Sequence, residues 1–282
     1  MPITTGFVSG RIIVARLASV ALILAGGLGS AVAARCGDGP GGFDAWLAQF
    51  KNEAAAQGTR AGTANSALSG ITYDPQVIHL DHSQRSFKLS FERFYALRVN
   101  GALIARGQSL MHTYHDVLTR IEQRFGVPGG VVIAIWGLET HYGADSSGNY
   151  SIIRSLATLA YDCRRSDFFT GQLLDALRIV DRGDLSAAQL RGGWAGEIGQ
   201  TQFLPTPYVK YAVDFAGKGR RDLIHNVPDI LASTANFLKA HGWQKGASWQ
   251  PGGPNYAVLA EWNKADVYDQ TIAVMAEKLG GG

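Results

Sequence analysis

Apolar residues recur at helical spacing along most of the chain that follows residue 42. Positions three and four apart share one face of a helix, so each such stripe predicts an amphipathic helix. Several of the stripes end at a glycine or a proline, residues that commonly stop a helix. The predicted helices cover residues 43–54, 110–125, 152–159, 168–180 and 230–238, and a group of aromatic residues between 87 and 95 predicts one short helix.

One further segment, Val131–Leu138, is apolar throughout. Its β-branched residues also fit a buried strand, but Pro128 is suited to the first turn of a helix, so we predict a helix there. Strands and helices do not alternate along the chain. The pattern therefore predicts a mainly α fold, α+β at most through a small hairpin, in a single helical domain with a cleft.

Residues 1–33 differ from the rest of the chain. Arg11 and Arg16 precede a short apolar stretch at residues 17–25, and small residues follow at 31–33. This order is typical of a cleaved secretory signal, and no later run reaches transmembrane length. We therefore expect an exported, soluble protein of the periplasm whose mature chain covers residues 34–282.

Charge and cysteine content narrow the choice of partner and compartment. Removal of Arg11 and Arg16 with the predicted signal leaves 24 of the 26 basic side chains against 23 acidic ones. The charges are interspersed and form no basic stripe, which argues against nucleic acid and favours a neutral or mixed-charge polymer. Cys36 and Cys163 would form one disulfide in an oxidising compartment, with two unpaired thiols as the alternative. Arg35 argues against a lipid anchor on Cys36.

The candidate for the chemistry is Glu139, which ends the apolar segment. A carboxylate that a hydrophobic wall delivers into a cleft loses hydration, which penalises its charged form and raises its pKa. Such a group stays protonated near neutral pH and can donate a proton to a leaving oxygen, as the acids of glycosidases do. The sequence thus predicts a general acid at this position.

A second candidate segment, residues 192–205, is punctuated by glycines and lacks clear periodicity. Glycines allow the backbone to approach a ligand closely, and the side chains of Gln200 and Gln202 each offer a donor and an acceptor to hydroxyl and N-acetyl groups. The segment is either a ligand-binding loop or a series of plain turns, and its chemistry alone leaves both interpretations open.

Three separated blocks of the chain resemble one known family. The blocks are Trp-Gly-Leu-Glu-Thr-His-Tyr-Gly at 136–143, a segment at 194–215 that begins Trp-Ala-Gly and contains Gln-Phe-Leu-Pro, and Ala-His-Gly-Trp at 240–243. In this order and spacing they resemble the lytic murein transglycosylases of the membrane-bound B type, in glycoside hydrolase family 103 of the lysozyme-like superfamily. The similarity extends over about residues 43–280.

The resemblance implies a lysozyme-like fold and cleavage of peptidoglycan glycan strands, with Glu139 as the single catalytic acid. Glu139 would protonate the oxygen between N-acetylmuramic acid and N-acetylglucosamine, and the C6 hydroxyl of the substrate would close a 1,6-anhydro ring. No cofactor is implied, and we expect a monomer. The catalytic domain would comprise a helical lobe (43–125), a catalytic core (126–245) and a C-terminal segment that lines the cleft (246–282).

The resemblance also implies which residues contact the sugar. Aromatic rings offer flat apolar faces to sugars, and the Asn263 amide can hydrogen-bond an acetamide group; for the aromatic residues, ordinary core packing is the alternative. The expected substrate-binding residues are Gln200, Gln202, Tyr208, Trp262, Asn263 and Tyr268.

The chain departs from the family pattern at two places. Gly193 stands where the family's best-known member has a serine that could orient the acid. Ala216 and Lys218 replace oxygen ligands in a run that corresponds to a calcium loop, and a lysine cation opposes calcium binding, so we predict no metal. Zinc is not expected at the spaced histidine pairs, which lack accompanying cysteines; these are His79 with His82 and His112 with His115. We expect His141 to shape the cleft near Glu139.

Two other functions stay open. The first is a lysozyme-like hydrolase in which Glu197 or Asp145 would serve as a second carboxylate and align a water molecule. The second is a glycan-binding scaffold that has kept the fold and lost the reaction, an interpretation that the absence of a hydroxyl at Gly193 allows.

Overall fold

The computed structural model describes residues 35–84, 89–146 and 148–280, and all of them fall within one compact unit. The predicted signal at residues 1–33 lies outside the described residues. The described residues form helices α1 (Phe43–Ala56), α2 (Ala61–Ala67), α3 (Pro75–His82), α4 (Phe91–Arg98), α5 (Gly101–Thr113), α6 (His115–Phe125), α7 (Gly129–Thr140), α8 (Ile152–Tyr161), α9 (Ser166–Asp181), α10 (Pro205–Tyr211), α11 (Val227–Ala240), α12 (Pro254–Trp262) and α13 (Asp266–Lys278), and strands β1 (Tyr150–Ser151) and β2 (Arg191–Gly192).

The mainly α prediction is confirmed. The sheet is a single antiparallel pair in which Tyr150 faces Gly192 and Ser151 faces Arg191. It differs from the small hairpin that the sequence allowed, because α8 and α9 lie between its two strands along the chain. None of the described helices has the length and apolar character needed to cross a membrane.

Helix α7 is the centre of the core. Eleven of its twelve residues are buried, because α13, α5, α11 and α6 all pack against it. A helix that is apolar on every side is expected in such a position, which explains why it shows no amphipathic stripe. Close packing also requires a glycine at position 137, where a Cβ would come within 2.8 Å of the Met275 side chain and the Tyr142 ring.

The stripes at 43–54, 152–159, 168–180 and 230–238 coincide with α1, α8, α9 and α11, so those predictions are confirmed. The single long helix predicted over 110–125 is wrong. The helix breaks at Tyr114, whose φ of −104° and ψ of 17° lie outside helical values. The two halves have different partners, because α5 packs mainly on α7 whereas α6 packs mainly on α11.

Residues 63–105 hold more helix than the one short element predicted there. Phe91, Phe94 and Tyr95 do lie on a short helix, α4, whereas Phe87 lies outside the described residues. Helix α2 was missed because its sequence, Ala-Gly-Thr-Ala-Asn-Ser-Ala, carries no large apolar residue.

Cys36 and Cys163 are joined by a disulfide with a Cα–Cα distance of 5.0 Å. The backbone reinforces the link, because the Gly37 amide donates a hydrogen bond to the carbonyl of Tyr161 at 2.9 Å. The bond thus fastens the first described residues to the connection between α8 and α9.

Candidate active site

Glu139 lies in the last turn of α7, at the point where the chain leaves the core. Thr140 is followed by His141, Tyr142 and Gly143, whose φ angles are 49°, 60° and 83°. Two consecutive non-glycine residues in the left-handed region are uncommon, and such strain often marks a functional site. The sharp turn ends the helix immediately after the carboxylate.

The turn is held by Thr140 and Gln200. The Thr140 hydroxyl donates to the carbonyl of Gln200 at 2.5 Å and accepts the Gly143 amide at 3.1 Å. The Gln200 side chain accepts a hydrogen bond from Trp136 Nε1 at 2.9 Å and donates one to the Ile224 carbonyl at 2.8 Å. The segment that follows β2 is thereby fixed to the C-terminal end of α7, beside Glu139.

A cavity of about 620 Å³ opens in front of Glu139. It is large enough for a sugar-sized ligand by the usual range of binding cavities. Its wall combines carboxylates, amides and aromatic rings, among them Glu139, Glu197, Gln202, Phe203, Trp262 and Asn263.

The two oxygens of Glu139 have different surroundings. Oε1 accepts hydrogen bonds from Trp262 Nε1 at 2.9 Å and from the Tyr268 hydroxyl at 2.7 Å. Oε2 has no hydrogen-bond partner among the residues that the structure describes. Burial raises the pKa of Glu139 above its usual value and outweighs the opposing influence of these two donors and of Arg98.

Three of the residues expected to contact sugar lie in the C-terminal segment, and two of them reach the cavity wall. Trp262 and Asn263 line the cavity. Tyr268 is buried, and its hydroxyl reaches the cavity only through Glu139. In the structure Tyr268 thus contacts the Glu139 carboxylate and does not form part of the cavity wall.

Gln202 also lines the cavity, and its φ of 54° places it in the left-handed region. Its amide donates to the Gly199 carbonyl at 2.7 Å, so one donor is used within the loop and the side-chain oxygen has no protein donor among the described residues.

Two further residues expected to contact sugar lie outside the cavity wall. Gln200 does not line the cavity, because Trp136 and Ile224 engage its amide from within the protein. Tyr208 is fully buried, and its hydroxyl donates to the Arg221 carbonyl at 2.8 Å. The side-chain hydrogen bonds of both residues are made within the protein, away from the cavity wall.

Of the two candidate second carboxylates, Glu197 and Asp145, only Glu197 is part of the cavity wall. Glu197 lines the cavity with Glu139, and its charge contributes to the raised pKa of Glu139. Asp145 does not line the cavity. It is largely exposed and pairs with Nδ1 of His141 at 2.5 Å, so the structure ties His141 to the outer side of the turn.

Within the described ranges, no group of three or more histidine, cysteine, aspartate or glutamate side chains is arranged to hold a metal. In the segment that matches the calcium loop, Asp214 accepts the amides of Lys218 and Gly219 at 2.8 and 2.7 Å. The loop is thus closed by its own backbone donors. Absence of calcium binding stays a prediction.

Several residues of the cavity wall carry no signal in the sequence. Arg165 and Phe168 come from the start of α9, and Glu261 comes from α12. These residues are far apart in the chain, and only the packing of the helices brings their side chains to one surface.

Comparison with known proteins matches residues 42–252 to the family described as "Transglycosylase SLT domain". Membrane-bound lytic murein transglycosylase B of Escherichia coli (strain K12) is 38% identical over 144 residues, which are 51% of this chain and 39% of that protein. The match thus spans well under half of that relative.

Two solved structures of SltB3 from Pseudomonas aeruginosa, in complex with NAG-NAM-pentapeptide and with NAG-anhNAM-pentapeptide, superpose on this chain with a TM-score of 0.79. Their identities are 31% and 32%, over 85% of this chain and 80% of theirs. The resemblance drawn from the three sequence blocks is confirmed by these matches. The family match and the shared fold together establish that this chain belongs to the transglycosylase SLT domain family.

Proposed function

We propose that the protein is a peptidoglycan lytic transglycosylase that cleaves the β-1,4 linkage between N-acetylmuramic acid and N-acetylglucosamine and forms 1,6-anhydromuramic acid ends. The observation that carries the proposal is the environment of Glu139, whose Oε1 is held by Trp262 and Tyr268 while Oε2 has no partner among the described residues. Family membership and the sugar–peptide ligands of the two SltB3 structures support the choice of substrate.

The hydrogen bonds decide which oxygen carries the proton. An oxygen that already accepts two hydrogen bonds is the carbonyl-like atom of a neutral carboxyl group, so the proton resides on Oε2. Because burial raises the pKa of Glu139, its neutral form is favoured before the substrate is attacked. Glu139 therefore meets the two requirements of a general acid, a proton and a free direction in which to donate it.

The reaction proceeds without a nucleophile from the protein. Glu139 Oε2 gives its proton to the glycosidic oxygen, and the bond from that oxygen to C1 of the muramic acid breaks. The C6 hydroxyl of the same sugar then attacks C1, and its proton returns to Oε2. An internal hydroxyl in good orientation can act at an effective concentration on the order of 10⁵ M or more, which favours it over water.

A hydrolase is the second candidate, because Glu197 lines the same cavity as Glu139. Paired carboxylates at roughly 5–5.5 Å or 6.5–9.5 Å support retaining or inverting hydrolysis. The products differ by one water, since hydrolysis leaves reducing-end muramic acid. A glycan-binding scaffold is the third candidate, and it predicts no products.

The test compares the wild-type protein with Glu139→Gln and with Glu122→Gln, an exposed glutamate of α6 that serves as the matched control. Each is incubated with purified sacculi, and soluble fragments are analysed by mass spectrometry. We expect anhydro products from the wild type and the control, and a loss of about 10²- to 10⁴-fold in Glu139→Gln. Products that carry an added water, or full activity of Glu139→Gln, would contradict the proposal.

We also propose export through the signal at residues 1–33, a periplasmic location and action as a monomer. The disulfide between Cys36 and Cys163 supports an oxidising compartment. The proposed division into a lobe (43–125), a core (126–245) and a C-terminal segment (246–282) fits the origin of Trp262, Asn263 and Tyr268.

A further inference from the structure

Glu139 and Glu197 line one cavity but come from different parts of the chain. Glu139 comes from the end of α7, and Glu197 comes from the loop that follows β2. Both side chains are partly buried and line the same cavity. Two carboxyl groups in one partly desolvated space repel each other when both are ionised, so their protonation states are linked.

The carboxyl group of Glu197 is held by its own loop. Oε2 accepts the Ala195 amide at 3.0 Å, and the Glu197 carbonyl accepts the Gly193 amide at 2.9 Å. The backbone amide of Glu197 itself also interacts with the carboxylate, and no side chain of the described residues donates to Oε1. As with Glu139, one oxygen is thus used for fixation and the other is left for a ligand.

Gly193 provides the space for this arrangement. A Cβ at position 193 would lie 2.1 Å from Glu197 Oε2 and 2.9 Å from its Cδ. Those separations are far below contact distance, so any side chain at 193 would displace the carboxyl group. In the sequence, Gly193 stands where a family member has a serine. In the structure, the absence of a side chain at Gly193 leaves the space that the Glu197 carboxyl group occupies.

We propose that Glu197 is a second functional carboxylate of this active site, that it faces the sugar whose linkage is broken, and that Gly193 is the residue that makes room for it. The inference rests on the proposed transglycosylase function and adds to it a residue outside the single-acid mechanism.

The two carboxyl groups are unequal. Burial raises the pKa of both. Backbone amides of residues 197 and 195 oppose the rise at Glu197, whereas Trp262, Tyr268 and Arg98 oppose it at Glu139, where the negative charge of Glu197 adds to the rise. We take Glu197 as the ionised partner and Glu139 as the protonated acid. Environments that separate two carboxyl groups in this way assign one as the acid and the other as the charged partner.

Other charged groups face this space as well. Arg98, at the end of α4, lowers the pKa of Glu139, and Tyr268 donates to it from α13. Arg165 and Glu261 line the cavity from α9 and α12. Glu197 is the carboxylate among these groups that acts on the pKa of Glu139.

An ionised Glu197 has two effects on the reaction. It keeps the proton on Glu139 up to a higher pH than that residue would hold it alone. It also presents a fixed negative group to the positive charge that develops on the muramic acid ring when the glycosidic bond breaks, a form of electrostatic stabilisation. Neither effect requires Glu197 to form a bond or to activate water.

The experiment measures kcat/KM on soluble glycan fragments from pH 4.5 to 9 for the wild type, Glu197→Gln and Gly193→Ala. Glutamine keeps an oxygen for the Ala195 amide but removes the charge, while alanine at 193 displaces an intact Glu197. Glu122→Gln is the control. In both test variants the alkaline limb should move to lower pH, so that the ratio of the rates at pH 8 and pH 5 falls about threefold or more.

Three results would overturn the inference. An unmoved alkaline limb with only a lower melting temperature would mean that Glu197 serves its loop alone. The double variant, Glu197→Gln with Gly193→Ala, is measured in the same way, and additive effects of its two substitutions would mean that they act separately. A selective loss of reducing-end products in Glu197→Gln would make Glu197 the base of a hydrolase. Glu139→Gln, run in parallel, shows separately whether the proposed function itself holds.

Discussion

Replacement of Tyr268 by phenylalanine tests how the acid is held. The substitution removes a hydroxyl that donates to Glu139 Oε1 at 2.7 Å and leaves the ring, which packs against Phe94 with centroids 6.1 Å apart. Trp262 continues to donate to the same oxygen at 2.9 Å. The change is therefore confined to one hydrogen bond.

The size of the effect follows from the charge on Glu139 in the transition state. A hydrogen bond to a charged group contributes about 1.5–3 kcal/mol, and Glu139 becomes charged only as it gives up its proton. Each 1.36 kcal/mol of barrier is a factor of ten in rate, so Tyr268→Phe should lower kcat by about 10- to 150-fold. Loss of the donor also raises the pKa of Glu139, which moves the alkaline limb to higher pH.

The assay is release of anhydro products over a range of pH, with Tyr256→Phe as a matched control. Tyr256 also donates one hydrogen bond to a carboxylate, Asp266 Oδ1 at 2.8 Å, and it does not line the cavity. If Tyr268→Phe matched Tyr256→Phe in rate and in pH profile, the assignment of Tyr268 to Glu139 would be refuted. A limb that moved to lower pH would refute the electrostatic reasoning.

Two further predictions concern stability. Because the disulfide closes a separation of 127 residues, Cys36→Ser with Cys163→Ser should lower the free energy of unfolding by up to about 5 kcal/mol in the chain-entropy treatment; denaturant unfolding measures the loss, and a change below about 1 kcal/mol would contradict it. Burial raises the pKa of Asp269 from 3.8 to about 7, so the folded state is penalised as pH rises from the unfolded value through 7. Asp269→Asn should therefore melt at a higher temperature than the wild type at pH 8 and at a similar one at pH 4, and equal gains at both values would contradict the assignment.

The features that could be predicted from the sequence are those set by local pattern. The apolar segment that ends at Glu139 predicted the buried helix α7, because a helix without a polar face must lie in a core, and it placed Glu139 at the end of that helix. The amphipathic stripes predicted α1, α8, α9 and α11, because a helix with one apolar face packs that face on the core. The helix break at Tyr114 could not be predicted, because neither proline nor glycine stands there and the break reflects the different packing partners of α5 and α6.

The site was harder to predict because residue type does not fix the direction of a side chain. Gln200 has the groups that could bind an acetamide, yet Trp136 and Ile224 engage them from the interior. Tyr208 donates to a carbonyl 13 residues further along the chain. Gly193 is a different case, because the need for glycine there becomes visible only from the position of the Glu197 carboxyl group, which folds back over it.

The burial of α7 has a consequence for hydrogen exchange. Amide protons in a helix enclosed on all sides exchange only when the whole domain opens, whereas those of an exposed loop exchange by local fluctuation. We therefore expect α7, which carries Glu139 in its last turn, to be among the slowest-exchanging segments of the described chain. Adjustment to a bound ligand is then expected from residues 193–204 and the connection around Asn263, while α7 keeps the Glu139 carboxyl group in place.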